Sequence, residues 1–203
     1  MKLNNKRTIL VGLAFLSICA FWQMYDSVVP LILTKTFHMN ETFSGAIMAA
    51  DNILALFLLP FFGSLSDRSH SKIGKRMPFI LFGTGCAVIL MNILPLLDNS
   101  YAAQPSGLKT ASFVIVLGLL LVAMGTYRSP AVALMPDVTP KPLRSRANAI
   151  INLMGAVGGI LYLGVAAVLY PNSKTAGLDH VNYQPLFIVV SAIMFIAIAV
   201  LFL

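Results

Sequence analysis

Three ionisable side chains, Asp26, Asp51 and Arg128, interrupt stretches of sequence that are otherwise apolar. A charged side chain in the middle of a membrane-spanning helix costs at least about 2.5–3.5 kcal/mol, so each of the three needs a functional or a structural reason. A carboxyl group in a low-dielectric environment keeps its proton at a higher pH than it does in water, and it can therefore exchange a proton near neutral pH. These residue types predict binding of a polar solute and of a proton or another cation.

The residues around Asp26 have the chemistry of a sugar-binding surface. Trp22 and Gln23 precede Asp26 by about one helical turn, so the three side chains share one face of a helix. An aromatic ring can stack on the apolar C–H face of a sugar while neighbouring polar groups bond to its hydroxyls. The alternative is that Asp26 is a partly hydrated carboxylate near the membrane surface and that Trp22 serves only in packing.

Asp51 and Arg128 each have a functional and a structural interpretation. With a rise of 1.5 Å per residue, Asp51 lies about 14 Å into its apolar run, near the midplane of a bilayer. Asn52 adds a second polar group there, which favours cation or proton coupling over a structural hydrogen bond to a neighbouring helix. Arg128 either neutralises a carboxylate or binds the solute across a cavity, or it caps its own helix and extends towards water.

A later apolar run carries polar and small residues on one helical face. Asn152 is deep enough in this run to contact a bound solute. Gly155 and Gly159 have the spacing that lets two helices approach closely, and helix packing is their favoured interpretation.

The chain that carries these residues has the composition of a membrane protein. Of its 203 residues, 58% are hydrophobic and only 10% are charged, whereas about a quarter of the residues of a soluble domain are charged. Only structures that satisfy their own backbone hydrogen bonds cross lipid, and no alternating strand pattern is present, so the sequence predicts an all-α polytopic membrane protein. One six-helix bundle is expected over residues 1–203, with spans at roughly 8–33, 42–62, 78–97, 110–136, 147–170 and 183–203.

The distribution of basic residues predicts the orientation of the bundle. Ten lysines and arginines fall at the N-terminus and in the loops after the second and fourth runs, against three in the other loops. This bias places the N-terminus and the basic loops in the cytoplasm, with the plasma (inner) membrane as the expected location. The net charge of +7 therefore reflects topology, and no nucleic-acid partner is expected. The ten residues are Lys2, Lys6, Arg7, Arg68, Lys72, Lys75, Arg76, Lys141, Arg144 and Arg146.

The loop after the second run contains more than topology requires. It reads GSLSDRSHSKIGKRMP over residues 63–78. Its notable residues are Gly63 and Gly74 at the corners, Asp67 and Arg68 at one helix end, and Lys75 and Arg76 before the next helix. A topological anchor needs cations alone, so the carboxylate predicts a segment that docks against another part of the protein and releases it. The alternative is that all these charges only determine topology.

The same loop resembles a signature of the major facilitator superfamily. Residues 66–68 (SDR), 74–76 (GKR) and 77–80 (MPFI) are similar to the helix 2–3 loop of its glycoside–cation and proton–sucrose symporter branch. Residues 127–140 (YRSPAVALMPDVTP) and 144–148 (RSRAN) resemble the elements that close helix four and open helix five in the same families.

This resemblance implies the N-terminal half of a facilitator fold, built from 3+3 helices. It also implies a cytoplasmic latch that includes Asp67 and Arg68, with Asp137 as their partner and Arg144 and Arg146 completing the network. The implied activity is secondary active transport of a sugar or glycoside by alternating access, coupled to H⁺ or Na⁺ and without a cofactor or metal centre.

Other functional classes fit less well. The three histidines fall in loops, and no zinc-protease motif, nucleophile elbow or metal-ligand cluster is present, so no enzyme is expected. A full facilitator has twelve helices, and this chain stops inside its sixth apolar run. We therefore expect a piece of a longer protein, working in the lipid bilayer with a C-terminal six-helix half or a second copy. The alternative is a non-transporting six-helix subunit or an inactive truncated half.

Overall fold

The computed structural model describes residues 4–202, apart from the side chain of Asn172. Lys2 of the basic N-terminus and residue 203 of the sixth predicted span lie outside the described residues. Within residues 4–202 the chain is helical and contains no β-strand. The helices are α1 (Asn5–Leu31), α2 (Glu41–Asp67), α3 (Met77–Ala103), α4 (Gly107–Val138), α5 (Arg144–Leu169), the single turn α6 (Asn172–Thr175) and α7 (Gln184–Phe202).

Six helices in the described part of the chain are long and apolar enough to cross a membrane, which confirms the six predicted spans. A π-helical turn at Ile32–Thr36 extends α1, and a 3-10 turn at Lys141–Leu143 leads into α5. Large apolar side chains cover the outer surface; on α2, Leu56 is 70% exposed and Phe57 is 66% exposed. Such a surface is suited to lipid rather than to water.

The largest extensions beyond the predicted spans are at the C-terminal ends of α3 and α2. The third predicted span ends at residue 97, but α3 continues to Ala103 because the Lys109 ammonium donates hydrogen bonds to the carbonyl oxygens of Ser100 (2.7 Å) and Gln104 (2.8 Å). These bonds satisfy acceptors that a helix end would otherwise leave free. The second predicted span ends near Gly63, but α2 continues to Asp67. The extensions place Asp67 on α2 and Asp98 on α3, rather than in loops.

Helix α1 lies at the centre of the bundle, in contact with α4, α5 and α7. Its aromatic side chain Phe21 is fully buried. Polar bonds reinforce the apolar packing: the Tyr127 hydroxyl of α4 donates to the Ala14 carbonyl oxygen of α1 at 3.0 Å. Between α3 and α7, Asn92 Nδ2 donates to Ser191 Oγ at 2.7 Å. These bonds hold the helix faces in a single register.

The contact between α1 and α5 depends on Gly158. A Cβ atom at this position would lie 2.0 Å from the Leu16 carbonyl oxygen, so no larger residue fits without displacement of a helix. Gly155 on the same face would bring a Cβ to 2.9 Å from the Cys19 sulfur. Gly159, which the sequence paired with Gly155, has ordinary space, with Gln23 Oε1 at 3.8 Å. The close approach therefore uses positions 155 and 158.

We expect Gly158→Ala to lower the free energy of unfolding by about 1–3 kcal/mol, because the added methyl group overpacks the α1–α5 contact. Thermal unfolding followed by circular dichroism in detergent measures the change. Gly164→Ala on the same helix is the matched control, since no atom lies within 4 Å of its added Cβ. Equal unfolding temperatures for the two variants would contradict this packing.

Candidate functional site

A cleft between α1, α2 and α4 brings together Trp22, Asp51 and Arg128, which come from three separate helices. This central cleft is narrow and partly open, with a cavity volume of about 10 Å³, which is room for about one water molecule. Its remaining lining residues are Leu54, Ala55, Leu58, Leu59, Leu121 and Gly125. A mostly apolar wall with a few convergent polar groups is typical of small-molecule sites.

The position of Arg128 is determined by the packing of α2 on α4. Ser129 Oγ donates to the Leu59 carbonyl oxygen at 2.6 Å, an acceptor on the turn that contains Pro60. Beside it, a Cβ on Gly125 would be 3.3 Å from the Leu58 side chain, so the two helices approach closely there. The Arg128 guanidinium lies 5.4 Å from the centre of the Trp22 ring, within the range of a cation–π interaction.

The acidic residues lie next to this pair. Asp51 is half-buried, and its Oδ1 accepts a hydrogen bond from Asn52 Nδ2 at 2.8 Å. Asp26 on α1 is exposed and does not line the cleft.

Two buried polar groups beside the acidic residues lack partners. Trp22 Nε1 and the Tyr25 hydroxyl are buried and make no hydrogen bond among residues 4–202. The Tyr25 hydroxyl is near both Asp26 and Asp51. Buried polar groups are normally satisfied, so two unsatisfied donors beside a cleft favour a polar ligand or water as their partner.

Four of the seven predicted binding residues do not line the central cleft: Gln23, Asp26, Asn52 and Asn152. Asp26 and Asn52 are exposed beside it. Gln23 faces α5, where its Oε1 is the nearest neighbour of Gly159. Asn152 is exposed on α5. The structure therefore separates these two side chains from Trp22, Asp51 and Arg128.

A second group of charged residues connects α2, α3 and α4 at the end of the bundle that carries residues 4–7, 68–76 and 139–146, which we call the basic end. Arg76 is its central residue and is only 6% exposed. Its guanidinium donates to Asp67 Oδ1 at 2.7 Å, to Ser66 Oγ at 3.0 Å and to Asp137 Oδ2. One side chain thus joins the end of α2 to the end of α4.

Lys75 completes this group, with its ammonium 3.6 Å from Asp67 Oδ1 and 3.5 Å from Asp137 Oδ2. Gly74 makes the turn before it with a φ of +100°, a backbone conformation that favours glycine. We refer to Ser66, Asp67, Lys75, Arg76 and Asp137 as the Arg76 network.

The other residues of the expected latch lie outside the Arg76 network. Arg68 caps α2 and is exposed, and among residues 4–202 it forms no ion pair. Gly63 lies inside α2 against Ser129. Arg144 binds backbone rather than carboxylates, donating to the Pro136 carbonyl oxygen at 2.8 Å and bracing the α4–α5 turn. Arg146 is exposed at the start of α5.

Sequence reasoning missed several residues that the structure places at these sites. Ser66 and Ser129 gave no signal, because a serine in an apolar helix is common. Tyr25 was hidden among apolar neighbours, although it precedes Asp26 directly. Asp98 was assigned to a loop, yet it lies on α3 and is fully buried.

The sequence profile of the Major Facilitator Superfamily matches residues 11–203, and the chain belongs to this family. The family predicted from the two loop motifs is therefore confirmed. It is therefore an integral membrane protein. Its relatives include proteins named as a sucrose transport protein and an alpha-ketoglutarate permease.

Three relatives illustrate the similarity. Sucrose transport protein SUC3 from Arabidopsis thaliana is 35% identical over 145 residues, which cover 66% of this chain and 24% of that protein. Sucrose transport protein SUT3 from Oryza sativa subsp. indica is 33% identical over 141 residues, covering 63% of this chain and 28% of that protein. Alpha-ketoglutarate permease from Escherichia coli (strain K12) is 26% identical over 179 residues, covering 87% of this chain and 38% of the permease.

The matched part of this chain thus spans between 24% and 38% of the length of these relatives. No solved structure matches the chain.

Proposed function

We propose that this chain forms one six-helix half of a secondary active transporter that binds a sugar or glycoside in the central cleft and moves it by alternating access. The observation that carries the proposal is the convergence of Trp22, Asp51 and Arg128 on one cleft, in a chain that belongs to the Major Facilitator Superfamily. Ionisable residues inside a membrane are retained where they line a solute or ion pathway.

A sugar is the proposed cargo because of both the relatives and the cleft. Two relatives are sucrose transport proteins by name. In the cleft, the Trp22 ring offers a face for stacking, and its unpartnered Nε1 is a hydrogen-bond donor. Arg128 would also suit a carboxylate, so the dicarboxylate named for the third relative belongs in any test of cargo.

The proposed coupling ion is H⁺ or Na⁺, bound at Asp51 with help from Asp26. Asp51 lines the cleft, and its carboxylate oxygens are available to either ion. A proton would neutralise one carboxylate, whereas Na⁺ would use their oxygens as ligands. The two alternatives differ in their dependence on pH and on sodium.

We assign the Arg76 network the role of a gate at the basic end, with that end in the cytoplasm and the bundle in the plasma (inner) membrane. The network joins α2, α3 and α4 through partly exposed carboxylates, so its bonds can form and break as the helices move. The bias of lysine and arginine towards this end supports the orientation.

A second bundle is the proposed partner, either a C-terminal half or a second copy of the chain. Alternating access needs one bundle to rock against another around a shared site. In support, α2 carries only two buried residues, Ser44 and Ser66, and leaves most of its surface for a partner or for lipid.

Solute counterflow tests the proposed function. Membranes containing the transporter are loaded with unlabelled solute, and uptake of radiolabelled sucrose, other sugars, glycosides or alpha-ketoglutarate is measured at two pH values with and without sodium. We expect counterflow with a sugar or glycoside that depends on pH or on sodium. Counterflow with none of the sugars and glycosides would overturn the proposal.

A further inference from the structure

The end of the bundle opposite to the basic end contains a buried carboxylate that the proposed transport does not use. Asp98 on α3 is fully buried, and neither of its oxygens has a hydrogen-bond partner among residues 4–202. Leaving a charged group buried and unpaired is strongly unfavourable, so Asp98 requires either a counter-charge or a proton.

His180, in the connection between α6 and α7, is the nearest group that can supply this counter-charge or proton. Its Nδ1 lies 3.8 Å from Asp98 Oδ2 and 3.2 Å from the Thr36 hydroxyl at the end of α1. The pair therefore joins three parts of the chain: the extended end of α1, helix α3 and the loop of residues 170–183.

The hydrogen bonds of His180 determine its tautomer. Asn99 Nδ2 donates to Asn182 Oδ1 at 2.9 Å, so Asn99 Oδ1 is an acceptor. His180 Nε2 lies 3.0 Å from this oxygen and must carry a hydrogen to bond with it. Nδ1 is then the nitrogen that gains or loses a proton, and it is the one that faces Asp98.

The loop of residues 170–183 is also held to the bundle by hydrogen bonds that do not involve Asp98 or His180. Burial raises the pKa of Tyr170, so its hydroxyl keeps its proton and donates to the Asn182 carbonyl oxygen at 2.8 Å. Asn182 Oδ1 also accepts the backbone N–H of Gln184 at 3.0 Å, at the start of α7. The anchored loop leaves a pocket of about 150 Å³ in front of His180, open to the outside.

We propose that Asp98 and His180 form a proton-binding site in which one proton, held on His180 Nδ1 or between the two groups, clasps the loop of residues 170–183 to α1 and α3. With this proton the pair is either an ion pair or a neutral hydrogen-bonded pair. Without it, the carboxylate stays buried beside a neutral imidazole whose Nδ1 is an acceptor, and the loop loses the bond between His180 and Asp98. Histidine ordinarily changes charge between about pH 5 and 8, so loss of the proton falls in an accessible range.

Other charged and titratable groups also face the pair. They are Lys35 and His38 from the end of α1, Tyr101 from α3, Asp179 from the loop and Tyr183 before α7. Lys35 and Asp179 are exposed and opposite in sign, so water screens their effects on the buried pair. His38 is the other histidine of this set, and it is also exposed, which makes it a useful control.

Hydrogen exchange of the loop, measured by mass spectrometry on the purified chain in nanodiscs, tests the clasp. Protection factors for residues 170–183 are compared at about pH 6 and about pH 8.5 after correction for intrinsic exchange rates. We expect protection to fall about tenfold at the higher pH, because the closed loop holds the proton more tightly than the open loop does. Asp98→Asn and His180→Asn should each abolish this pH dependence, because either change removes one of the two groups that share the proton.

Matched controls are Asp179→Asn and His38→Asn, which remove an exposed acid and an exposed histidine near the same pocket. Asparagine tolerates the positive φ of 51° at position 38. Both controls should retain the tenfold change. The clasp is contradicted if the unmodified chain shows no pH dependence in this loop, or if either Asp98→Asn or His180→Asn retains it. If Asp98→Asn does not fold, His180→Asn, whose change lies in the loop, decides alone.

Discussion

Arg76→Ala should lower the population of the state closed at the basic end by about a hundredfold and slow net transport accordingly. One guanidinium bonds to Asp67, Asp137 and Ser66, and it is nearly inaccessible to water. Breaking a buried pair by removing one partner costs about 3–5 kcal/mol. We expect the lower end of this range, because Lys75 remains near both carboxylates. A loss of about 3 kcal/mol corresponds to a shift of roughly 150-fold.

The measurement for Arg76→Ala is the initial rate of uptake of the solute identified by counterflow, normalised to folded protein from size-exclusion chromatography. Arg68→Ala is the matched control, since Arg68 is exposed and forms no ion pair within residues 4–202.

Arg76→Lys keeps the charge but loses the planar donor set, so we expect an intermediate rate. Asp67→Asn leaves Asp137 paired and should slow transport less than Arg76→Ala, with membrane insertion unchanged. Equal rates for Arg76→Ala and Arg68→Ala would show that the network does not gate transport.

Asp51→Asn should reduce uphill accumulation of solute to the equilibrium level while exchange of solute across the membrane persists. An amide cannot take up a proton and is a poor ligand for Na⁺ compared with a carboxylate, so the coupling ion loses its site. The amide still fits the cleft beside Trp22 and Arg128, which is why solute binding should survive. Accumulation ratios and exchange rates are measured in the same vesicle preparation.

Glu41→Gln is the matched control for Asp51→Asn. Glu41 lies in the first turn of the same helix and is exposed, so its loss should leave accumulation nearly unchanged. Asp26→Asn should weaken coupling less than Asp51→Asn, because Asp26 is exposed and does not line the cleft. Normal uphill accumulation by Asp51→Asn would remove this residue from the coupling mechanism.

The spans could be predicted from sequence because lipid imposes a simple condition: about 20 apolar residues per crossing. Their ends could not, since they depend on contacts made after folding. The extension of α3 past residue 97 needs Lys109, which belongs to the following helix and binds the last carbonyl groups of α3. Nothing in the local sequence around Asp98 shows that this cap exists.

The cost of burying a charge singles out Asp26, Asp51 and Arg128 in the sequence, and the structure places Asp51 and Arg128 in one cleft with Trp22, whereas Asp26 does not line it. Gln23 was grouped with Trp22 by its position on the helix, and Asn152 was chosen for its depth, but neither criterion reveals the direction in which a side chain faces. Direction depends on how α1 and α5 cross, and the crossing is determined by Gly158 against Leu16.

The charged loop of residues 63–78 also shows that sequence does not reveal the direction in which a side chain faces. Its composition predicted a docking segment, but adjacent cations such as Lys75 and Arg76 look alike in sequence. Only the packed helix ends show that Arg76 is buried between two carboxylates while Arg68 faces outward. In sequence, Asp98 and His180 are separated by the end of α3, all of α4 and α5, and the single turn α6, so tertiary structure alone brings the pair together.

The proposed gate is tested most directly by measuring how accessible the central cleft is from the basic end. Leu54→Cys, in a background with Cys19→Ala and Cys86→Ala, places one thiol in the lining of the cleft. Its rate of labelling by a membrane-impermeant maleimide is measured from the cytoplasmic side, in membranes that contain the active transporter. We predict slow labelling with the Arg76 network intact, and labelling at least about tenfold faster when Arg76→Ala is added. An unchanged rate, or labelling only from the other side of the membrane, would contradict the claim that this network closes the cytoplasmic entrance to the cleft.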